Sequence, residues 1–186
     1  MSNPTQELIK LSAQHGTSFL TDTILTNPKF AIWSGSSKPF QHHYGKGGLA
    51  QHTLEVTQLC LQSNITLGNP VPIQHILLAA IFHDCGKMWD YEPLDDSFEE
   101  WQGTIHKRRI HHISRSAIIW TETINNFKNA FAFQYKDEIL HAILSHHGLR
   151  EWGSPVSPNT KLAWLLHLCD GISARINDCD KQSDIT

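Results

Sequence analysis

The sequence predicts an all-α domain, a helical bundle of about six to eight helices. Three observations carry this. Apolar residues recur at helical spacing in most segments bounded by Pro or Gly. Asn3-Pro4 and Ser157-Pro158 each place an N-capping residue before a proline suited to the first helical position. Alternating apolar–polar runs, the mark of half-buried strands, never dominate.

Taken in order, "NPTQELIKLSA" opens a helix with Asn3 as N-cap. The stretch "NPKFAIWSGSSKPF" (27–40) reads as a structured loop, and "YGKGG" (44–48) as a helix entry turn without the P-loop pattern. A helix then follows two glycines, with Leu49, His52, Val56, Leu59 and Ser63 on one face. The next starts near Pro72. Ile73, Ile76, Leu77 and Ala80 share the face that carries His83 and Asp84, and Gly86 suits its C-terminal end. Residues 88–105 read as a long loop or short helices. Further helices are expected from about His111, over 135–148 with Gly148 as the stop, and from Ser157 as N-cap with Pro158 at N1. The expected organisation is a helical extension over 1–43 packed on the core, a main domain over 44–178 and a tail over 179–186.

The chain has 186 residues, 40% of them hydrophobic and 9% aromatic, enough for one core. A net charge of −3 and a pI of about 6.5 argue against a nucleic-acid-coating protein. No apolar run approaches the roughly 18 residues of a membrane helix, and the N-terminus lacks a signal-peptide layout. Cys60, Cys85, Cys169 and Cys179 form no CxxC pair and read as thiols of a cytoplasmic protein, with Cys85 structural.

Histidine is the unusual component, at 13 residues. His52 shares a face with Leu49 and Val56. His83-Asp84 ends the most apolar helix. His112 aligns with Ser116 and Ile119, His146 with Ile139, Ala142 and Ile143, and Asp170 with Ala163 and Leu166. One histidine on an apolar face is ordinarily a hydrogen-bonded core residue. Several imidazoles and two carboxylates are too costly to bury as separate groups, whereas a shared metal takes the imidazole lone pairs and neutralises the carboxylates.

The ordered set His52, His83-Asp84, His112, His146 and Asp170, with "HDCGK" matching an HD-x-G-K signature, resembles the HD superfamily of metal-dependent phosphohydrolases. "GGLAQHTLEV", "HDCGK", "ILSHHG" and "GSPVSPNTKLAWLLHLCD" are similar to the HD domain of YhaM-type bacterial 3′-exoribonucleases over about 44–176. Those enzymes carry an OB-type domain ahead of the HD domain. Here only 1–43 precede the match, so that domain is expected to be absent. That family also tends to have glycine before the third histidine, where this chain has His111.

Six ligands exceed what one catalytic ion needs and fit two ions about 3.5–4 Å apart. The resemblance implies that His52, His83 and Asp170 hold one ion, that His112 and His146 hold the other, and that Asp84 bridges them. A metal-bridging hydroxide would then attack a phosphoester of a nucleotide or single-stranded nucleic acid. Mn or Fe suits these ligands best, with Ni, Co or Zn also compatible. Catalytic roles fall to Asp84, Lys87 and His147. Lys87 would bind phosphate, and His147 would contact phosphate or orient a leaving group. Because neighbouring helix positions diverge by about 100°, His147 is not expected to share an ion with His146. Lys107, Arg108, Arg109 and His111 form a basic landing patch. Trp89, Trp101 and Trp152 are expected at the rim, and His167 supports a ligand or packs. The alternatives are an HD-type mixed-valent di-iron oxygenase and a non-catalytic nucleotide-binding HD module. An oligomer is compatible with the sequence; a membrane partner is not expected.

Overall fold

Capping chemistry lays out the chain order. The structure, a computed structural model, describes residues 3–39 and 41–182, with side chains described through residue 176. Asn3 accepts a hydrogen bond from the Thr5 amide (3.0 Å) and opens α1 (Pro4–Gln14), with Pro4 in its first turn. After α2 (Ser18–Leu25), the same Asn-Pro device recurs. Asn27 accepts from the Lys29 amide and starts α3 (Pro28–Ile32), so part of the expected loop is a short helix. The main elements that follow are α4 (Gly48–Thr66) and α5 (Ile73–Phe82). Next come a four-residue α6 (Lys87–Asp90) and an antiparallel hairpin of β1 (Tyr91–Pro93) with β2 (Trp101–Gly103). The chain closes with α7 (Ile105–Arg109), α8 (His112–Asn125), α9 (Lys136–Ser145) and α10 (Lys161–Gln182). Among the described residues, α1, α2, α4, α5, α8, α9 and α10 have eight or more residues, which matches the all-α expectation. No helix among them is long and apolar enough to cross a membrane.

The centre of the bundle is α5. From Ile76 on it is apolar all round, and Leu77 to Phe82 are fully buried, as expected of a helix surrounded by others. It packs against α2, α4, α8, α9 and α10. Leu8, Leu20 and Phe30 bring the N-terminal helices into the same core. The hairpin is pinned to the body by Trp33, whose Nε1 donates to the Tyr91 carbonyl (2.7 Å), and by Tyr44, whose hydroxyl accepts from the Trp101 amide (3.1 Å).

Three local expectations change. Gly86 does not close α5 in a left-handed turn, since its φ is −62°. It is required by close approach: a Cβ there would collide with the His112 carbonyl, while the Gly86 amide donates to Ser116 Oγ (2.9 Å). On α4 the buried face rotates to Thr53, Thr57 and Asn64, leaving Leu59 and Ser63 half-buried. The last helix starts at Lys161, where Thr160 Oγ1 accepts from the Ala163 amide (3.2 Å). Ser157 and Pro158 stay outside it, because the Asn159 amide is used to pin the segment to His141 Nε2 (3.2 Å).

Gly86→Ala is therefore expected to cost about 1–3 kcal/mol, the usual penalty for overpacking. Gly171→Ala, placed within α10 with nothing near its virtual Cβ, is expected to stabilise by about 0.5–1 kcal/mol. Urea unfolding of the metal-free protein reads both.

Candidate metal centre

Five helices deliver the polar residues to one point. His52 comes from α4, His83 and Asp84 from the turn after α5, His112 from the start of α8, His146 and His147 from just beyond α9, and Asp170 from α10. His52 Nε2 lies 3.3 Å from Asp84 Oδ2 and 3.0 Å from Asp170 Oδ1. His83 Nε2 lies 3.5 Å and 3.7 Å from the same two oxygens. The other Asp84 oxygen, Oδ1, lies 3.4 Å from His112 Nε2 and 3.5 Å from His146 Nε2. The donor atoms of His52, His83, Asp84 and Asp170 lie within 4.8 Å of one another, as do those of His112, His146 and His147.

Hydrogen bonding fixes the tautomers. A carbonyl can only accept, so Nδ1 carries the proton in His83 (to Ala80 O, 2.6 Å), His146 (to Ile143 O, 2.7 Å) and His147 (to Trp152 O, 2.7 Å). Ser173 donates its hydroxyl to Glu55, so its oxygen accepts from His52 Nδ1 (3.1 Å). Asp90 accepts from His112 Nδ1 (3.2 Å). All five rings thus turn an Nε2 lone pair to the centre. Two of the converging atoms, Asp84 Oδ1 and His146 Nε2, are buried without a hydrogen-bond partner. Imidazole lone pairs converging on two carboxylates, with Asp84 Oδ1 and His146 Nε2 left without a donor, fit divalent metal ions, and these residues are able to hold them.

The electrostatics agree. Burial pushes His147 down to about 3, helped by its neighbours His146 and His112. Burial also pushes His112 down to about 4, against the pull of Asp90, so both rings are neutral. Burial opposes ionisation of Asp84, but Lys87 and His83 hold it well below the usual range; the His52 and His83 rings beside Asp170 do the same for it. His52 runs the other way. Burial lowers its pKa, yet Asp170 and Asp84 outweigh this and raise it.

A cavity of about 310 Å³ opens onto the centre. Lys87, His111, His112, His146, His147 and Asp170 line it. Lys87 is buried, and its Nζ contacts Asp84 Oδ2 at 2.6 Å. Lys107, Arg108 and Arg109 stand outside the lining; Lys107 donates to Ser37 Oγ (3.1 Å) and covers the Tyr91 ring. Of the three tryptophans, only Trp152 lines the cavity. Trp101 is buried edge-on against Trp33, and Trp89 carries Arg115 over its ring. His167 supports the site by donating from Nδ1 to the His146 carbonyl (2.8 Å).

His147 differs from expectation. Both it and His146 lie past the last residue of α9, where Gly148 turns at φ +83°, so the 100° divergence of helix neighbours does not apply. His147 Nε2 reaches within 3.4 Å of His112 Nε2. Sequence reasoning also missed Arg175, which lines the cavity and lies over Trp152, although it sits one turn beyond Gly171, which lines the cavity too. It missed Asp90 and the Glu55–Ser173 pair, whose partners are distant in sequence. His111, in the position where the resembling family tends to have glycine, has φ +69° and ψ +149°, a conformation that suits glycine.

The HD domain family model matches residues 49–175. The 3′-5′ exoribonuclease YhaM of Halalkalibacterium halodurans is 30% identical over 166 residues, covering 87% of this chain and 48% of that protein. The protein of the same name from Bacillus subtilis (strain 168) is 36% identical over 146 residues, covering 75% and 42%. The chain thus spans about half the length of the curated relatives it matches. No solved structure gives a significant match.

Two outcomes follow from this geometry. Mn²⁺ at 100 times its dissociation constant is expected to stabilise the metal-stripped protein by about 2.7 kcal/mol, and Asp84→Ala to remove that gain, read by thermal unfolding with and without chelator. His111→Gly is expected to raise metal-free stability by relieving about 1–3 kcal/mol of backbone strain, seen as a higher urea midpoint.

Proposed function

This chain belongs to the HD-domain family, and on that premise we propose that it is a metal-dependent phosphodiesterase that removes nucleotides from the 3′ end of single-stranded RNA. The observation that carries the reading is Asp84, one oxygen of which faces His52 and His83 while the other faces His112 and His146. Such a carboxylate suits two ions held side by side, the first also bound by Asp170. Two divalent ions, Mn²⁺ or Fe²⁺ for this mixed nitrogen and oxygen set, would grip phosphate oxygens and lower the pKa of a shared water to about 7. The relatives' name supports RNA as the substrate.

The chain's own residues divide the remaining work. Lys87 lines the cavity, and the charge of Asp84 holds it protonated against burial, so it offers a fixed cation to a phosphate oxygen. His147 is neutral, and its Nε2 bears a lone pair. It accepts a hydrogen bond and so orients a hydroxyl or water rather than a bare phosphate oxygen. Trp152 with Arg175 and His111 form the mouth, where a base and its phosphate would lie. Lys107, Arg108 and Arg109 serve as an outer basic patch for the upstream strand. The HD unit is assigned to 44–178, with 1–43 as an extension buried on it through Leu8, Leu20 and Phe30; of the expected tail 179–186, residues 179–182 instead continue α10, and 183–186 lie outside those described. The free, buried thiols of Cys60, Cys85 and Cys169 suit a cytoplasmic setting.

With Mn²⁺, single-stranded RNA labelled at its 5′ end is expected to shorten from its 3′ end. Asp84→Ala is expected to slow this by about 10³-fold or more, as when transition-state charge stabilisation is lost. Lys87→Ala is expected to slow turnover while keeping the metal content measured by mass spectrometry. Failure to cleave RNA, DNA or bis(p-nitrophenyl) phosphate with Mn²⁺, Fe²⁺, Co²⁺ or Mg²⁺ would sink the reading.

A further inference from the structure

Asp90 lies outside the cavity lining, is fully buried, and has both oxygens engaged. Its Oδ2 accepts from the His112 backbone amide (2.9 Å) and from His112 Nδ1 (3.2 Å). Its Oδ1 accepts from His106 Nδ1 (2.7 Å). His106 in turn accepts at Nε2 from Arg115 Nε (3.0 Å). A chain of hydrogen bonds thus runs from Arg115 on α8, through His106 on α7, to the ring that faces Asp84.

We infer that Asp90 is a positioning residue for the ion held by His112, fixing that ring with Nδ1 protonated and Nε2 aimed inward, and that His106 holds Asp90 in place. The inference rests on the reading of His112 as a ligand. Its physical basis is a contrast among the rings. His83 and His146 donate to carbonyls three residues back on their own helices. His112 is the first residue of α8 and has no carbonyl of its own helix behind it. Without Asp90, Asp84 Oδ1 at 3.4 Å from Nε2 would draw the proton to that atom, and a ring protonated at Nε2 cannot bind metal through it. Carboxylates behind metal-binding histidines commonly matter by 10–100-fold in affinity. His106 belongs to the basic run that also includes Lys107, Arg108 and Arg109; the structure gives it this internal role instead.

Asp90 also caps α8, so the test must separate a cap from a positioning role. In Asp90→Asn, one amide oxygen accepts while the NH₂ confronts a second donor. Titration of the metal-stripped full chain with Mn²⁺ is expected to show one of two binding events weakened about 10–100-fold and the other unchanged. Long-range ¹H–¹⁵N NMR of the metal-free protein is expected to show the His112 proton moving from Nδ1 toward Nε2. His106→Leu, which leaves the cap intact, is expected to weaken the same event by less, so the idea stays testable if Asp90→Asn folds poorly. The inference is overturned if the His112 tautomer and both affinities match wild type. It is also overturned if both affinities fall equally alongside the metal-free melting temperature, the signature of a cap alone. If His112→Ala takes up Mn²⁺ like wild type, the ligand reading beneath the inference falls, and the NMR result alone then decides whether Asp90 fixes the ring.

Discussion

A buried carboxylate with two differently occupied sides organises this molecule. Asp84 is almost wholly removed from water, which for an isolated carboxylate is prohibitive. Its Oδ2 is offset by Lys87 and by the rings of His52 and His83; its Oδ1 faces His112 and His146 and has no hydrogen-bond donor. The rest of the fold supplies that arrangement. The apolar α5 carries Asp84 into the centre, and Gly86 lets α8 approach close enough to present His112. Helices α4, α9 and α10 then close the other sides.

The imidazoles are oriented by two routes, and position along the helix decides between them. The last carbonyls of a helix lack ladder partners. His83 and His146 follow directly after α5 and α9, so each ring folds back onto a free carbonyl three residues earlier. His52 lies within α4, where the carbonyls are used by the helix, and His112 lies at the start of α8, where no carbonyl of that helix precedes it. Both need a side chain from elsewhere: Ser173 backed by Glu55 for His52, and Asp90 backed by His106 for His112. Each group of candidate ligands therefore contains a ring set locally and a ring set by tertiary structure.

That division also explains what could be read in advance. Residues whose role depends on their own helix were legible: His52 beside Leu49 and Val56, His146 above Ile143, and Asp170 beyond Leu166 all show in helical spacing. Residues whose role depends on a distant partner were not. Asp90 stands in an acidic, aperiodic stretch, and nothing local marks it as the support of His112. Gly86 looked like a helix stop because only tertiary structure shows the His112 carbonyl against it. Helix geometry does not govern the pair His146-His147, because both lie where the helix has ended. In α3 a legible signal, Asn27-Pro28, was outweighed by the Gly, Ser and Pro residues that follow it.

The charges around the cavity bear on how an anionic substrate is held. Among the described residues, Asp84 is matched by Lys87, and Asp170 shares the lining with Arg175. Two of the rings, His112 and His147, are neutral because burial strips their protons. The protein surface at the centre therefore offers a phosphate little net positive charge, and the chain as a whole carries −3. The Nε2 lone pairs of these neutral rings would repel a phosphate oxygen rather than donate to it. Positive charge at the reacting phosphate must come chiefly from what the nitrogens and carboxylates bind, with Lys87 as the fixed supplement. The same side chains that make the centre a poor anion site by themselves make it a good cation site, and affinity for a phosphoester becomes conditional on metal loading.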